Sequence, residues 1–354
     1  MLPNPIFAIH LTPSILIKQL VMDQPSAQQL FFQHIKSNLP PHLSFVDEIA
    51  ELLNISNDSA YRRIRAEKPI TLEEIQKLSS HYKISLDQFL HLQSDSLIFS
   101  GKMIDTPDEF FDQYLKNLMQ NLIFLNGFEH KHLYFLAKDV PWITHFQIPE
   151  LSAFKIFLWM KSILHYDSLK GKKFSFKNSS HSDYMDLGKK IVQQYNKIPT
   201  TEIWNLEGID ITIQQIEYYH ECDVFQSDED VMLIYEKLET LVDHIERQAE
   251  LGKKFTFGET PTASSPDFNL FYNELALGDN TVLVDLGKVK ITFLNHSVID
   301  FISTRDERFS NQMYQNLRNL ISKSTQISVV GEKDRNNFFG RLRSKIHLHK
   351  KQVV

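Results

Sequence analysis

The sequence predicts a mainly α-helical protein with a smaller α+β region at its C-terminal end. Three observations carry that expectation. Between Ser26 and Leu92, apolar residues recur at helical spacing in short runs broken by capping residues and prolines. Longer helical periodicities fill most of the chain from Thr106 to Gly252. Glu259–Asp267 then holds two prolines and four Ser/Thr residues in nine, and beyond it the texture turns to short β-rich runs.

Taken in order, the first helix is Ser26–Asn38, with Leu30, Phe31 and Ile35 on one stripe and Pro40 and Pro41 beyond its end. Ser44–Asn54 repeats apolar residues at Phe45, Ile49, Leu52 and Leu53, and Asn57–Ala66 follows after two residues. Thr71–Tyr82 opens with Thr71 and Glu74, a capping box. Ser85–Leu92 completes a five-helix bundle. A Phe- and Leu-rich helix spans Thr106–Asn126, and His132–Ala137 reads as a strand. Glu150–Tyr166 is helical and apolar. Its 17 residues include Lys155 and Lys161, which makes it a core helix and not a membrane span. Helices follow at Asp183–Asn196, Thr212–Glu221 and Ser227–Gly252, the last with Gly252 as C-cap. Phe268–Leu277, Thr281–Leu286, Val289–Leu294 and Val298–Ser303 then read as an antiparallel meander. A helix at Asp306–Ser322, a strand at Gln326–Val330 and a basic helix at Lys333–Ile346 close the chain. The expected organisation is a tail over residues 1–25, a helix-turn-helix domain over 26–95, a mainly helical domain over 96–258 and an α+β region over 267–354.

Composition narrows the function. The 354 residues are 42% hydrophobic and 23% charged, enough to build two or three cores. The net charge of -6 excludes a histone-like DNA coat, so any nucleic-acid contact is local. One cysteine, Cys222, forms no intramolecular disulfide and no thiolate cluster, which points to a reducing cytoplasm. No G-x-x-x-x-G-K-[ST], G-x-G-x-x-G or G-x-S-x-G motif occurs, so the chain reads as a non-enzyme without a cofactor. The apolar start MLPNPIFAIHLTPSILIKQLVMD has three open readings: a targeting segment, a loosely packed tail, or an upstream extension of a chain that begins at Met22.

The informative stretch is Phe45–Arg65, FVDEIAELLNISNDSAYRRIR. Ala50 is small where a second helix must come close. Asn54 falls at a turn position that asks for a left-handed backbone. Ile55 plugs the turn, Ser56 or Asn57 caps the second helix, and Ala60 and Ile64 face back to the first. That leaves Asn57, Asp58, Ser59, Arg62, Arg63 and Arg65 facing outward, with Tyr61 at the edge. A helix laid in the major groove offers its N-terminal side chains to base edges, where Asn matches adenine and Arg matches guanine. Ser56, Asn57, Asp58, Ser59, Tyr61, Arg62, Arg63, Arg65 and Lys68 are therefore the candidate DNA-binding residues. Asn57, Asp58, Ser59 and Arg62 read bases, and Arg63, Arg65 and Lys68 anchor phosphates.

On these residues, and on the closing S-L-D-Q-F run at Ser85–Phe89, Ser44–Leu92 resembles the lambda-repressor-like (XRE-type) helix-turn-helix domains of bacterial transcriptional regulators. The resemblance implies double-stranded DNA as partner, a homodimer, and a long C-terminal region that dimerises or senses an unknown small-molecule or protein effector. Two features depart from it. Asn54 stands where many relatives carry Gly, and Pro41–Leu92 holds six Lys/Arg against eight Asp/Glu. Tight DNA binding then needs a second copy or basic residues elsewhere.

The rival from another class is an intracellular adaptor whose bundle engages protein without touching DNA. Gly331–Val354 carries seven Lys/Arg against Glu332 and Asp334 and offers either a docked helix or an auxiliary phosphate contact. His130 and His132, the run Tyr218–Asp223 (YYHECD), and Asp139, Asp285 and Asp300 lack the spacing of a metal or catalytic site. The aromatic-rich stretch Phe110–Trp159 reads as core first and ligand pocket second.

Overall fold

The computed structural model describes residues 25–37, 39, 44–82, 84, 86, 97–101, 107–178, 182–275, 278–297 and 300–353. The chain divides into two compact units, Met1–Ser96 and Leu97–Val354. The three readings of the N-terminal segment and the expected helix Ser85–Leu92 fall almost wholly outside the described residues.

In the smaller unit α1 (Ala27–Ser37), α2 (Phe45–Leu53), α3 (Asn57–Ile64) and α4 (Leu72–Tyr82) surround one small core. Phe31, Phe32, Ile35, Ile49, Ala50, Leu53, Ala60 and Leu78 are buried in it. Phe31, Ile35, Ile49 and Leu53 are among the residues whose spacing marks the helices, while Phe32 joins the core from outside that pattern and Leu30, expected on the stripe, is exposed.

The larger unit is built on a seven-stranded mixed sheet. Its first part runs α5 (Pro107–Asn126), β1 (His132–Ala137), α6 (Pro149–Leu158), α7 (Ser182–Tyr195), β2 (Thr200–Trp204), α8 (Asp210–Glu221) and α9 (Asp228–Leu251). Its second part runs β3 (Phe268–Tyr272), β4 (Thr281–Asp285), β5 (Lys290–Asn295), β6 (Phe301–Thr304), α10 (Glu307–Ser322), β7 (Thr325–Gln326) and α11 (Glu332–Lys350). The strand order is β6-β5-β4-β1-β2-β3-β7. Strands β1, β2 and β3 pair in parallel, and the helices between them serve as the crossovers that parallel pairing requires. Strand β4 runs antiparallel to β1, and β5 and β6 follow as a hairpin meander.

Three expectations are corrected here. Residues 96–258 and 267–354 do not form separate domains, because β1 and β2 from the first segment share one sheet with β3 to β7 from the second. The Glu259–Asp267 stretch is a returning loop: the Lys254 N–H donates to the Pro266 carbonyl at 2.8 Å, and Lys253 Nζ meets Asp267 Oδ1 at 2.7 Å. Strand β3 also leaves the meander. It pairs with β2 on the far side of β1, while of the expected strand Gln326–Val330 only Gln326 is in a strand, as the second residue of β7.

Alternation along the strands sorts the sheet into two faces. Leu133, Phe135 and Ala137 of β1 join the main core beneath the helices. Tyr134 and Leu136 turn to the opposite face, where Met313, Tyr314 and Leu317 of α10 cover them. Helix α6 continues into a π-helical turn at Trp159–Ile163, and Trp142, Phe146 and Trp159 meet there edge to face. The helix boundaries follow local signals. The Ser227 hydroxyl accepts the Asp230 N–H at the start of α9, and Gly252 closes that helix at φ +62°. The Asp306 carboxylate accepts the Phe309 N–H at the start of α10.

Polar groups lie deep in this unit. Glu202, in the middle of β2, accepts from the Tyr195 hydroxyl at 2.8 Å and from the Trp204 indole N–H at 2.8 Å. Lys254 Nζ stands 3.2 Å from the centroid of the Tyr195 ring and donates to the Tyr195 carbonyl. Burial pushes Lys254 down to about 7 against the pull of Glu202, and raises the Glu202 carboxyl above its ordinary value.

The buried histidines give a testable pH response. Burial drives His132 and His244 down to about 4 and His145 well below the ordinary imidazole value. On acidification the unfolded chain therefore takes up protons before the folded one. The contribution of these neutral rings is complete above about pH 6.5 and is lost as pH falls toward 4. The urea midpoint followed by tryptophan emission should drop across that window, since Trp142, Trp159 and Trp204 all lie in this unit. Replacing His244 by Gln should flatten the slope.

Candidate nucleic-acid interface

The turn between α2 and α3 forms as its residues dictate. Asn54 takes the left-handed conformation (φ 55°, ψ 52°), and its N–H donates to the Glu51 carbonyl at 3.1 Å. The Ile55 N–H reaches the Ala50 carbonyl at 2.9 Å, so the last carbonyls of α2 are satisfied within the turn. Ser56 is extended, and its hydroxyl accepts the Ser59 N–H, capping α3. Ala50 and Ala60 are buried where the two helices meet, and Ile64 packs partly into the same core.

Helix α3 presents Asn57, Asp58, Tyr61 and Arg62 to solvent, with Ser56 before it and Arg65 and Lys68 beyond its end. Ser59 is half-buried. Asn57 is held in place: its Nδ2 donates to Asp47 Oδ1 at 2.7 Å, which leaves the amide oxygen and the second N–H unused by that bond. Arg65 stacks over Tyr61 at 5.5 Å and meets Glu67 at 3.4 Å. That exposed pair is weak and easily exchanged for a stronger anion.

Arg63 departs from the expectation. It is not outward but buried, with its side chain 6% exposed. Its Nε and Nη2 donate to the two carboxylate oxygens of Glu74 at 2.8 and 2.6 Å, and Nη1 donates to the Ser59 carbonyl at 3.2 Å. Glu74 Oε2 also accepts the Thr71 N–H at 3.0 Å, while the Thr71 hydroxyl accepts the Glu74 N–H. The capping box of α4 and the ion pair to α3 thus share one carboxylate. Partial burial alone would raise that carboxyl, but the Arg63 guanidinium and the Thr71 N–H hold it below its ordinary value. Arg63 faces α4 because it lies three residues after Ala60, on the inner side of the same helix.

Gln28 is a structural anchor that the periodicity did not mark. Its Nε2 donates to the carbonyls of Arg63 and Lys68 at 2.7 and 2.8 Å, and its Oε1 accepts the Ile70 N–H at 3.2 Å. With Gln29 Nε2 donating to the Arg65 carbonyl at 3.4 Å, two amide side chains of α1 pin the loop that carries Arg65 and Lys68. Within that loop Ala66 sits at φ 58°, where a Cβ is disfavoured.

The other sequence candidates resolve into structure. On α11, Arg343 pairs with Asp243 and Glu246 of α9, His347 with Glu239 and Lys350 with Glu236. Lys345 and His349 pair with Asp210 and Glu217 of α8. Arg335 is buried on the carbonyls of Ile327 and Val330. Much of the expected basic surface is thus a docking seam against acidic helices. His132 bonds to Thr201, and His130 stands 3.9 Å from Asp285. In YYHECD, Tyr219 is buried on Ser162, whereas Tyr218 and Cys222 are exposed and His220 pairs with Asp228.

Removal of the buried pair should loosen α3. Arg63→Ala leaves Glu74 without its cation and should cost about 2 kcal/mol. The expected readout is faster hydrogen exchange of the α3 and α4 amides in the intact chain, with Lys68→Ala as an unaffected control. Ala66→Gly relieves the left-handed strain and should slow the same exchange, by up to about 1 kcal/mol.

Among the described residues no helix is long and apolar enough to cross a membrane. No curated protein and no solved structure matches the chain. The BetR domain matches at residues 41–106, under a fifth of the chain, and this segment, with α2, α3 and α4 inside it, is thereby similar to a helix-turn-helix-like DNA-binding family of regulators.

Proposed function

We propose that the chain is a sequence-specific transcriptional regulator that binds double-stranded DNA as a homodimer. The observation that carries this reading is the outward face of α3, with Asn57, Asp58 and Arg62 exposed on a helix whose inner side is fixed by Arg63 and Ala60. In the lambda-repressor-like manner, α3 lies in the major groove. The Asn57 amide, oriented by Asp47, meets an adenine edge, and Arg62 meets a guanine. Arg65 and Lys68, on the loop held by Gln29 and Gln28, take phosphates.

Arg63 drops out of the phosphate set, because its charge is spent on Glu74. The negative balance of Pro41–Leu92 makes one copy a weak DNA ligand. Two copies on a pseudo-palindromic site double the phosphate contacts, which is why a dimer belongs to this reading. The Leu97–Val354 unit supplies dimerisation or sensing.

Binding-site selection with the purified protein, followed by mobility shift at two salt concentrations, tests the proposal. Arg62→Ala should lower the ratio of specific to non-specific affinity by about 1–3 kcal/mol. Lys68→Ala should weaken all sequences alike and reduce the salt slope by about 1 per copy. Wild-type behaviour in both variants overturns the assignment of the face. Absence of any salt-sensitive binding to duplex favours the adaptor.

A further inference from the structure

The larger unit holds a cavity of about 850 Å³ between α5 and the helix-covered face of the sheet. That volume is the size of a site for a small organic ligand and far exceeds a packing defect. Its walls are apolar: Leu118 and Leu122 come from α5, and Leu133, Phe135, Val284 and Phe293 from β1, β4 and β5.

The charged residues of the lining have one sign, and Gln113, Asn117 and Asn121 of α5 add neutral amides. Asp112 and Asp300 line the cavity, and among the described residues no Lys, Arg or His does. Asp112 is neutralised by Lys116 at 2.7 Å. Asp300 is different. Its Oδ1 accepts the Phe301 N–H, and its Oδ2 is enclosed behind the wall with no hydrogen-bond partner among the described residues. His296 Nε2 stands 3.8 Å from that oxygen, beyond hydrogen-bond reach. A carboxylate at an apolar wall attracts a positive charge more strongly than it would in water, so a cationic head group in the cavity is favoured over a neutral or an anionic one. Tyr114 and Trp142 also line the space, with ring centroids 5.7 Å apart, and aromatic faces attract cations.

We propose that this cavity is a binding site for a small amphipathic amine, its hydrocarbon part against the α5 and sheet walls and its protonated nitrogen at Asp300. Fatty acids and phosphate esters are disfavoured, because they would place an anion beside a carboxylate with no Lys, Arg or His among the described lining residues. A neutral hydrocarbon fills the walls but offers Asp300 no opposite charge. As the input of a regulator the site rests on the DNA-binding reading. Ligand binding itself does not, so a titration without DNA lets the two fail separately.

The test is a titration of the full chain with decylamine, 1-decanol and decanoic acid below their micelle-forming concentrations, read by calorimetry and by tryptophan emission. Trp142 lines the cavity and Trp159 lies 5.4 Å behind it, so occupancy should alter the signal. The expected result is saturable decylamine binding about tenfold or more tighter than decanoic acid, with 1-decanol between them. Asp300→Asn should abolish the preference for the amine while decanol still binds, which shows that the variant is folded. Leu118→Phe should weaken all three by crowding the wall. The proposal is overturned if none of the three binds saturably, if the acid binds as tightly as the amine, if Asp300→Asn keeps the preference, or if Leu118→Phe changes nothing.

Discussion

The orientation of α3 depends on the Arg63–Glu74 pair. A helix of eight residues has little stability of its own, so its direction is set by what it is fastened to. Ala50 and Ala60 fix how closely it approaches α2. Arg63 fixes its rotation, because a two-pronged guanidinium–carboxylate contact tolerates little twist about the helix axis. Glu74 is itself immobilised by the Thr71 backbone, so the start of α4 and the inner face of α3 form one rigid joint. Gln28 then extends that joint to the loop through Lys68. The outer side chains inherit their placement from this inner set, none of which points toward solvent.

The larger unit follows another constraint, the full burial of β2. All five of its residues are enclosed, and among them is a glutamate. Glu202 stays there because Tyr195 and Trp204 donate to it and Lys254 lies close by, so its oxygens are satisfied without water. A one-residue slip of β2 would carry Glu202 to the α10 face, against Leu283 and Leu317, and bring Ile203 to the Lys254 side. The cluster therefore fixes the register on which both parallel pairings depend. Its value lies in that choice more than in net stability, since a buried charge pair gains little over well-packed hydrocarbon.

Legibility in the sequence followed the range of the interactions. The turn at Asn54, the Ser56 cap, the Thr71–Glu74 box and the Ser227 and Gly252 ends of α9 are set by neighbours within a few residues, and each was readable. Strand β1 was readable because its six residues are bulky and mostly apolar. Strand β2, Thr-Thr-Glu-Ile-Trp, was not, since its glutamate is tolerated only because Tyr195, Trp204 and Lys254 meet it in the folded chain. Strand β3 looked like the first arm of a meander because sequence shows adjacency and not pairing. Its partner β2 lies more than sixty residues upstream. Arg63 was misplaced for a related reason. An arginine among arginines reads as outward charge, and only the position of Glu74 in the folded chain turns it inward.

The same accounting of charge links the two units. Arginine and lysine residues are easy to read as a supply of phosphate contacts, but in this chain many are already committed. On α11, Arg343, Lys345 and Lys350 are matched to carboxylates of α8 and α9, and Arg335 to backbone carbonyls. In the smaller unit Arg63 is matched to Glu74. A cation held by a buried or networked acid cannot turn to phosphate without leaving that acid unpaired, at a cost comparable to the contact it would gain. Arg62 and Lys68 carry no such partner among the described contacts, and Arg65 has only an exposed one. The electrostatic reach of the α3 face is therefore small per copy, which makes shape and the fixed Asn57 amide count for more in distinguishing one sequence from another.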